Sequence, residues 1–216
     1  MNKKSVIFDL DGTLLNTLED LADSTNFALE YYKFPPRTVD EIRQFVGNGV
    51  KKLIERAIPD GLNNPYFENC LALFKKHYQE NMFNKTACYD GISQMLDRLK
   101  SMGIKTAVVS NKFDDAVKGL CDRYFGGLID FCAGENEQFG IRKKPAPDTV
   151  LKVLKQFNFK PEQAIYVGDS EVDIQTAKNA NIDCISVLWG FKDKEFLLNS
   201  GAKILISKPD EIFRYL

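Results

Sequence analysis

No apolar run in this sequence is longer than a strand, neither sign of charge prevails, and its five cysteines never fall in a Cys-x-x-Cys pair. Each absence removes a class of function. A membrane helix needs about twenty consecutive apolar residues, so no span is expected. A formal net charge of −1 over 216 residues leaves no basic field to hold a nucleic-acid backbone. Cys70, Cys88, Cys121, Cys132 and Cys184 are scattered and odd in number. That argues against a disulfide framework or a structural zinc site, and they read as reduced, mostly buried thiols. The N-terminus, MNKKSVIFDLDG, opens near two lysines, but Asp9 and Asp11 break its apolar run before it reaches the length of a secretory signal. The expectation is a cytoplasmic protein, monomer or homodimer, with no nucleic-acid or membrane partner.

What is present is an ordinary globular composition. Hydrophobic residues make up 44% and charged residues 27%, enough for one sizeable core and a smaller second one. Ser5–Phe8 is rich in strand formers and stops at Asp9; Lys105–Val109, Ala164–Val167, Cys184–Leu188 and Ala202–Ile206 look alike. Several are apolar at nearly every position, as strands covered on both faces are. Helical spacing lies between them, at Ile92, Met95, Leu96 and Leu99 and at Val150, Val153, Leu154 and Phe157. This alternation predicts an α/β fold with a doubly wound parallel sheet.

Residues 16–82 break the alternation with three helical stripes and no convincing strand. Leu18, Leu21, Ala22, Thr25, Ala28 and Leu29 form the first. Val50, Leu53, Ile54, Ala57 and Ile58 form the second, and Phe67, Cys70, Leu71, Phe74 and Tyr78 the third. The expected organisation is therefore an α/β core of residues 1–15 and 83–216, with a helical cap, 16–82, inserted after the first strand.

Ligands of open α/β sheets bind beyond the carboxyl ends of the strands. There the sequence places Asp9-Leu-Asp11-Gly-Thr13 after the first strand, Ser110-Asn111-Lys112 after the second, and Gly168-Asp169-Ser-Glu-Val-Asp173 after a later one. Lys144, followed by Pro145, precedes a helix leading into that later strand. Clustered carboxylates repel one another and call for a cation. Hard oxygen donors with room for water suit Mg²⁺. A carboxylate can attack phosphorus, and lysine and hydroxyl donors can hold the phosphoryl oxygens. Asp9 does not open a calcium loop, because that loop has its glycine at the sixth position and Gly12 is fourth.

Phe8-Asp-Leu-Asp-Gly-Thr-Leu14 resembles the first motif of the haloacid dehalogenase (HAD) superfamily phosphatases. Ser110, Lys144 before Pro145, and Gly168–Asp173 resemble its second, third and fourth motifs, in the family's order, with a cap where its first cap class carries one. The resemblance implies that Asp9 is the nucleophile and a metal ligand. Asp11 would be the general acid and then the base, its main-chain carbonyl a further ligand. Asp169 would complete the protein ligands of Mg²⁺. Asp173 reads equally as a ligand or as a carboxylate favoured at a helix N-terminus. Ser110 and the Asn111 amide would hold the phosphoryl group, and Lys144 would pair with Asp9 and the phosphate. Lys143 is separated from Lys144 only by the proline rule.

In the cap, Gly47-Asn48-Gly49 has two readings: a flexible turn before a helix, or a substrate loop whose amides meet an anionic group. Phosphoglycolate phosphatase-like members have similar segments in their caps. Asn16 stands where close relatives of phosphoglycolate phosphatase often have Asp. The implied activity is Mg²⁺-dependent hydrolysis of a small phosphate monoester through an aspartyl-phosphate, with phosphoglycolate the leading substrate. The alternatives are a pyrophosphatase, a 5'-nucleotidase or a β-phosphoglucomutase-like mutase, and outside catalysis a binding protein that kept the fold.

Overall fold

A computed structural model of the chain describes residues 3–135 and 137–216. β1 (Ser5–Phe8) is followed by the two-residue β2 (Leu15–Asn16) and four helices, α1 (Leu18–Tyr31), α2 (Val39–Phe45), α3 (Val50–Ala57) and α4 (Phe67–Asn81). The chain returns through β3 (Ala87–Cys88) to α5 (Ile92–Ser101), β4 (Lys105–Phe113), α6 (Asp114–Phe125) and β5 (Phe131–Glu135). It ends with α7 (Asp148–Phe157), β6 (Ala164–Gly168), α8 (Glu171–Asn179), β7 (Asp183–Val187), α9 (Lys194–Asn199) and β8 (Ile204–Ile206). Among the described residues no helix is long and apolar enough to cross a membrane.

The chain divides into two compact units, one holding it up to Leu15 and from Cys88 onward, the other Asn16–Ala87. In the first unit six parallel strands run in the order β5-β4-β1-β6-β7-β8. Successive strands move outward from β1 in one direction and then, from β6, in the other. The strand order therefore reverses between β1 and β6, and a crevice opens there beyond their carboxyl ends. β1 is buried along its whole length, because helices cover both faces of such a sheet. On one face Ile7, Val109 and Tyr166 pack with Val150, Val153 and Leu154 of α7 and Ala177 of α8.

The second unit is helical. The three stripes read from the sequence are the buried faces of α1, α3 and α4. A fourth helix, α2, was not among them. It buries only Ile42, too little to leave a stripe, and it is held instead at its start by a capping box between Thr38 and Glu41. His77, the one histidine of the sequence, is half-buried. Its ring stacks on Phe27 at 4.0 Å, and Nδ1 lies 3.0 Å from Ser24 Oγ.

The helical unit takes in residues 83–87 as well as the 16–82 stretch marked by its helical pattern. Asp20, buried in the first turn of α1, explains why. Its carboxylate accepts hydrogen bonds from the backbone N–H of Lys85 and Thr86 and from the Thr86 hydroxyl, at 2.8–3.1 Å. Charge-assisted bonds of this kind are about twice as strong as neutral ones.

Candidate active site

The loop after β1 carries Asp9, Asp11 and Gly12, and its glycine is required twice over. Gly12 has φ +83°, and a Cβ there would stand 2.3 Å from a carboxylate oxygen of Asp169. The Asp9 N–H donates to Val167 O at 2.9 Å, so the first two residues beyond the β1–β6 pair stay in register. Trp189 donates its indole N–H to Thr13 O at 2.9 Å and pins the far side of the same loop.

Lys144 occupies the centre of the cluster. Its ammonium lies 2.8 Å from Asp9 Oδ1, 2.7 Å from Asp173 Oδ1 and 3.2 Å from the hydroxyl of Tyr166. Lys143, the rival by sequence, instead faces Glu137 at 3.4 Å. The Lys144 backbone is fixed by Asn111, whose side-chain oxygen accepts from Lys144 N–H at 2.8 Å and whose amide donates to Lys144 O at 3.1 Å. Tyr166 donates to Val109 O at 3.0 Å and so stands as a post between two strands. Neither the Asn111 side-chain clamp nor Tyr166 was foreseen; a lone polar side chain in an apolar strand was the available signal for the tyrosine.

Of the two readings the sequence left for Asp173, the structure shows the carboxylate at a helix N-terminus. One oxygen caps α8, accepting from Ser170 N–H and Oγ, and the other faces Lys144. Asp169, also buried, accepts from Phe191 N–H at 2.7 Å. Ser110 is not in a loop after a strand, as expected, because β4 continues to Phe113 through a shift in register beyond Val109. Ser110 Oγ accepts from Lys112 N–H. The Lys112 ammonium lies 2.9 and 3.1 Å from the two carboxylate oxygens of Asp11. Gly47 and Gly49 both have positive φ, at +118° and +87°, and Asn48 accepts at 2.9 Å from Arg56, which also donates to Phe45 O. Arg56 thus anchors this loop within the helical unit.

Oxygens of Asp9, Asp169 and Asp173 all lie within 4.8 Å of one another. Burial, and then repulsion from Asp173, push the Asp9 carboxyl up to about 7 against the pull of Lys144. Burial, and then repulsion from Asp173 and Asp9, raise Asp169 well above the usual carboxylate range. Burial works to lower Lys144, but Asp173 and Asp9 outweigh it and hold the ammonium well above its ordinary value. Three buried carboxylates thus crowd one site, two of them in contact with the single ammonium of Lys144. This donor set, all hard oxygen and short of positive charge, fits a divalent cation.

A family model described as haloacid dehalogenase-like hydrolase matches residues 6–187. The chain belongs to that family. A phosphoglycolate phosphatase of Aquifex aeolicus (strain VF5) is 36% identical over 98% of this chain and 95% of its own length. One of Psychrobacter arcticus is 33% identical over 99% and 92%. Among solved structures, a candidate phosphoglycolate phosphatase of Lactobacillus delbrueckii subsp. bulgaricus superposes with a TM-score of 0.93 at 34% identity, covering 100% of this chain and 98% of that one. This haloacid dehalogenase-like hydrolase is a phosphatase acting on phosphoric monoesters, and its substrate is a small phosphorylated molecule.

Proposed function

We propose that this haloacid dehalogenase-like hydrolase cleaves 2-phosphoglycolate to glycolate and phosphate, with the Asp9 carboxylate as nucleophile. The observation that supports the mechanism is a nearly buried carboxylate held 2.8 Å from the Lys144 ammonium at the switch point of the sheet. The names of relatives matched over almost the whole chain support the substrate.

An Asp9 oxygen attacks phosphorus, the bond from phosphorus to the ester oxygen breaks, and an aspartyl-phosphate forms. Asp11 gives a proton to the departing alkoxide, then takes one from the water that attacks phosphorus and releases phosphate. The Lys144 ammonium, Ser110 Oγ and the Asn111 backbone N–H serve as donors to the phosphoryl oxygens. Asp9, Asp169 and Asp173, with the main-chain carbonyl of Asp11, would hold Mg²⁺, whose charge offsets repulsion between the nucleophile and the anionic ester. Asn111 and Tyr166 keep Lys144 at its post through the bonds described above.

A panel of phosphate esters assayed for phosphate release with Mg²⁺ tests this reading, and 2-phosphoglycolate should give the highest kcat/KM. Excess chelator should abolish turnover and added Mg²⁺ restore it. Ca²⁺ should inhibit, because it takes more ligands at longer bonds and would engage both oxygens of the nucleophile. A rate indifferent to chelator would remove the metal from the mechanism.

Gly47, Asn48 and Gly49 are proposed as a selectivity loop, on the ground that Arg56 spends two hydrogen bonds on its shape. Arg56→Ala should raise KM for 2-phosphoglycolate several-fold and change the ranking of natural esters. Hydrolysis of p-nitrophenyl phosphate, which draws little on such contacts, should change less. An unchanged ranking would make the loop structural.

A further inference from the structure

We propose that Lys112 selects the substrate by its alcohol, its ammonium meeting a carboxylate carried on the carbon next to the ester oxygen. The inference rests on the phosphoglycolate reading and names the side chain that enforces it. β4 runs past the end of its neighbour β1, and this carries Lys112 to the level of the loop that holds Asp11. The Lys112 side chain is only 1% exposed. A buried ammonium is costly unless it is paired, and Asp11 supplies a partner through both of its oxygens.

Asp11 has a second obligation. To serve the leaving alcohol it must turn an oxygen to the ester oxygen, and that oxygen then gives up part of its contact with Lys112. The place where the ammonium loosens from Asp11 is the place where the alcohol sits.

The reach agrees. A hydrogen bond from Asp11 to the ester oxygen spans about 2.7 Å, and the Lys112 contact adds 2.9 Å. The ammonium is therefore within about 5–6 Å of the ester oxygen. In an O–CH₂–COO⁻ group the carboxylate oxygens lie about 3 Å from the ester oxygen by ordinary bond lengths. What remains is about one hydrogen bond. A hydroxymethyl group in that position brings no charge to the ammonium. An alcohol that brings a carboxylate to this buried cation gains a charge-assisted bond that a hydroxymethyl group does not make, and such contacts discriminate strongly.

The test compares kcat/KM for 2-phosphoglycolate and for 2-hydroxyethyl phosphate, which has nearly the same skeleton without the carboxylate. Lys112→Met should lower the ratio of the two about 100-fold, the order expected when one partner of a buried charge pair is truncated. Any disturbance of Asp11 slows both esters and cancels in the ratio. Lys112→Arg should retain much of the preference. Glycolate should inhibit the unaltered enzyme competitively, whereas ethylene glycol should not. If the wild-type enzyme shows no preference for 2-phosphoglycolate, the substrate reading itself fails. A wild-type preference that survives Lys112→Met unchanged overturns the inference alone, and Lys112 then only holds Asp11 in place. Should Lys112→Met fail to fold by circular dichroism, the same ratio is read on Lys112→Gln.

Discussion

Asp9→Asn is expected to fold normally and to lose turnover of 2-phosphoglycolate by about 10⁴-fold or more, the scale seen when a member of a catalytic unit is removed. An amide has nearly the shape of a carboxylate but is no useful nucleophile. Stability should hold or rise slightly, because the substitution removes one of three carboxyl groups crowded together in a buried site. Steady-state kinetics and a thermal melt together separate this outcome from misfolding. Acid quenching during turnover should leave a phosphoryl group on the Asp9 peptide of the wild-type enzyme, seen by mass spectrometry, and none on the variant. Near-normal turnover of Asp9→Asn would mean that water attacks phosphorus directly.

Lys144→Met should be the most damaging change to the fold of the core. It removes the one ammonium that faces both Asp9 and Asp173, leaving buried carboxylates without their partner. Breaking a buried pair from one side costs about 3–5 kcal/mol. For a chain of this size that corresponds to a fall in Tm of roughly ten degrees or more. Turnover should be lost as well. Mg²⁺ should recover part of the lost stability, since a cation bound only by the folded state shifts the melt upward. A melt unmoved by the substitution would show that the carboxylates do not depend on Lys144 for their charge balance.

The chemistry-bearing residues were legible in the sequence because the sheet forces them to follow strands at once. Asp9, Asp11 and Asp169 could be placed from strand ends, whereas Lys144, which precedes α7, was told from Lys143 only by the proline that follows it in the family resemblance. What stayed hidden were the supports, whose partners lie far away in the chain. Asn111 and Lys144 are 33 residues apart, and Lys112 and Asp11 are 101 apart. No local pattern encodes such pairs. β5 was missed for a related reason. Its Gly134 packs so closely that a Cβ would stand 2.4 Å from Lys112 O and 2.6 Å from Asp114 Cα. The sheet edge needs a glycine there, and the glycine dilutes the apolar signature by which strands are recognised. The helix α2 escaped because its information is in a cap rather than a stripe.

Asp20 has a consequence for how this architecture changes over time. By gripping Lys85 and Thr86 from the first turn of α1, it brings the exit of the helical excursion back to its entrance. The entropy of closing a loop grows only slowly with the number of residues inside it, and closure here is held by the excursion's own hydrogen bonds. Changes in length between those two ends should therefore leave the strand order unaltered. Such a body is transplantable: exchanging it between related chains, with the Asp20 and Thr86 positions as the splice points, should carry preference for one ester over another while leaving the bond-breaking apparatus where it was.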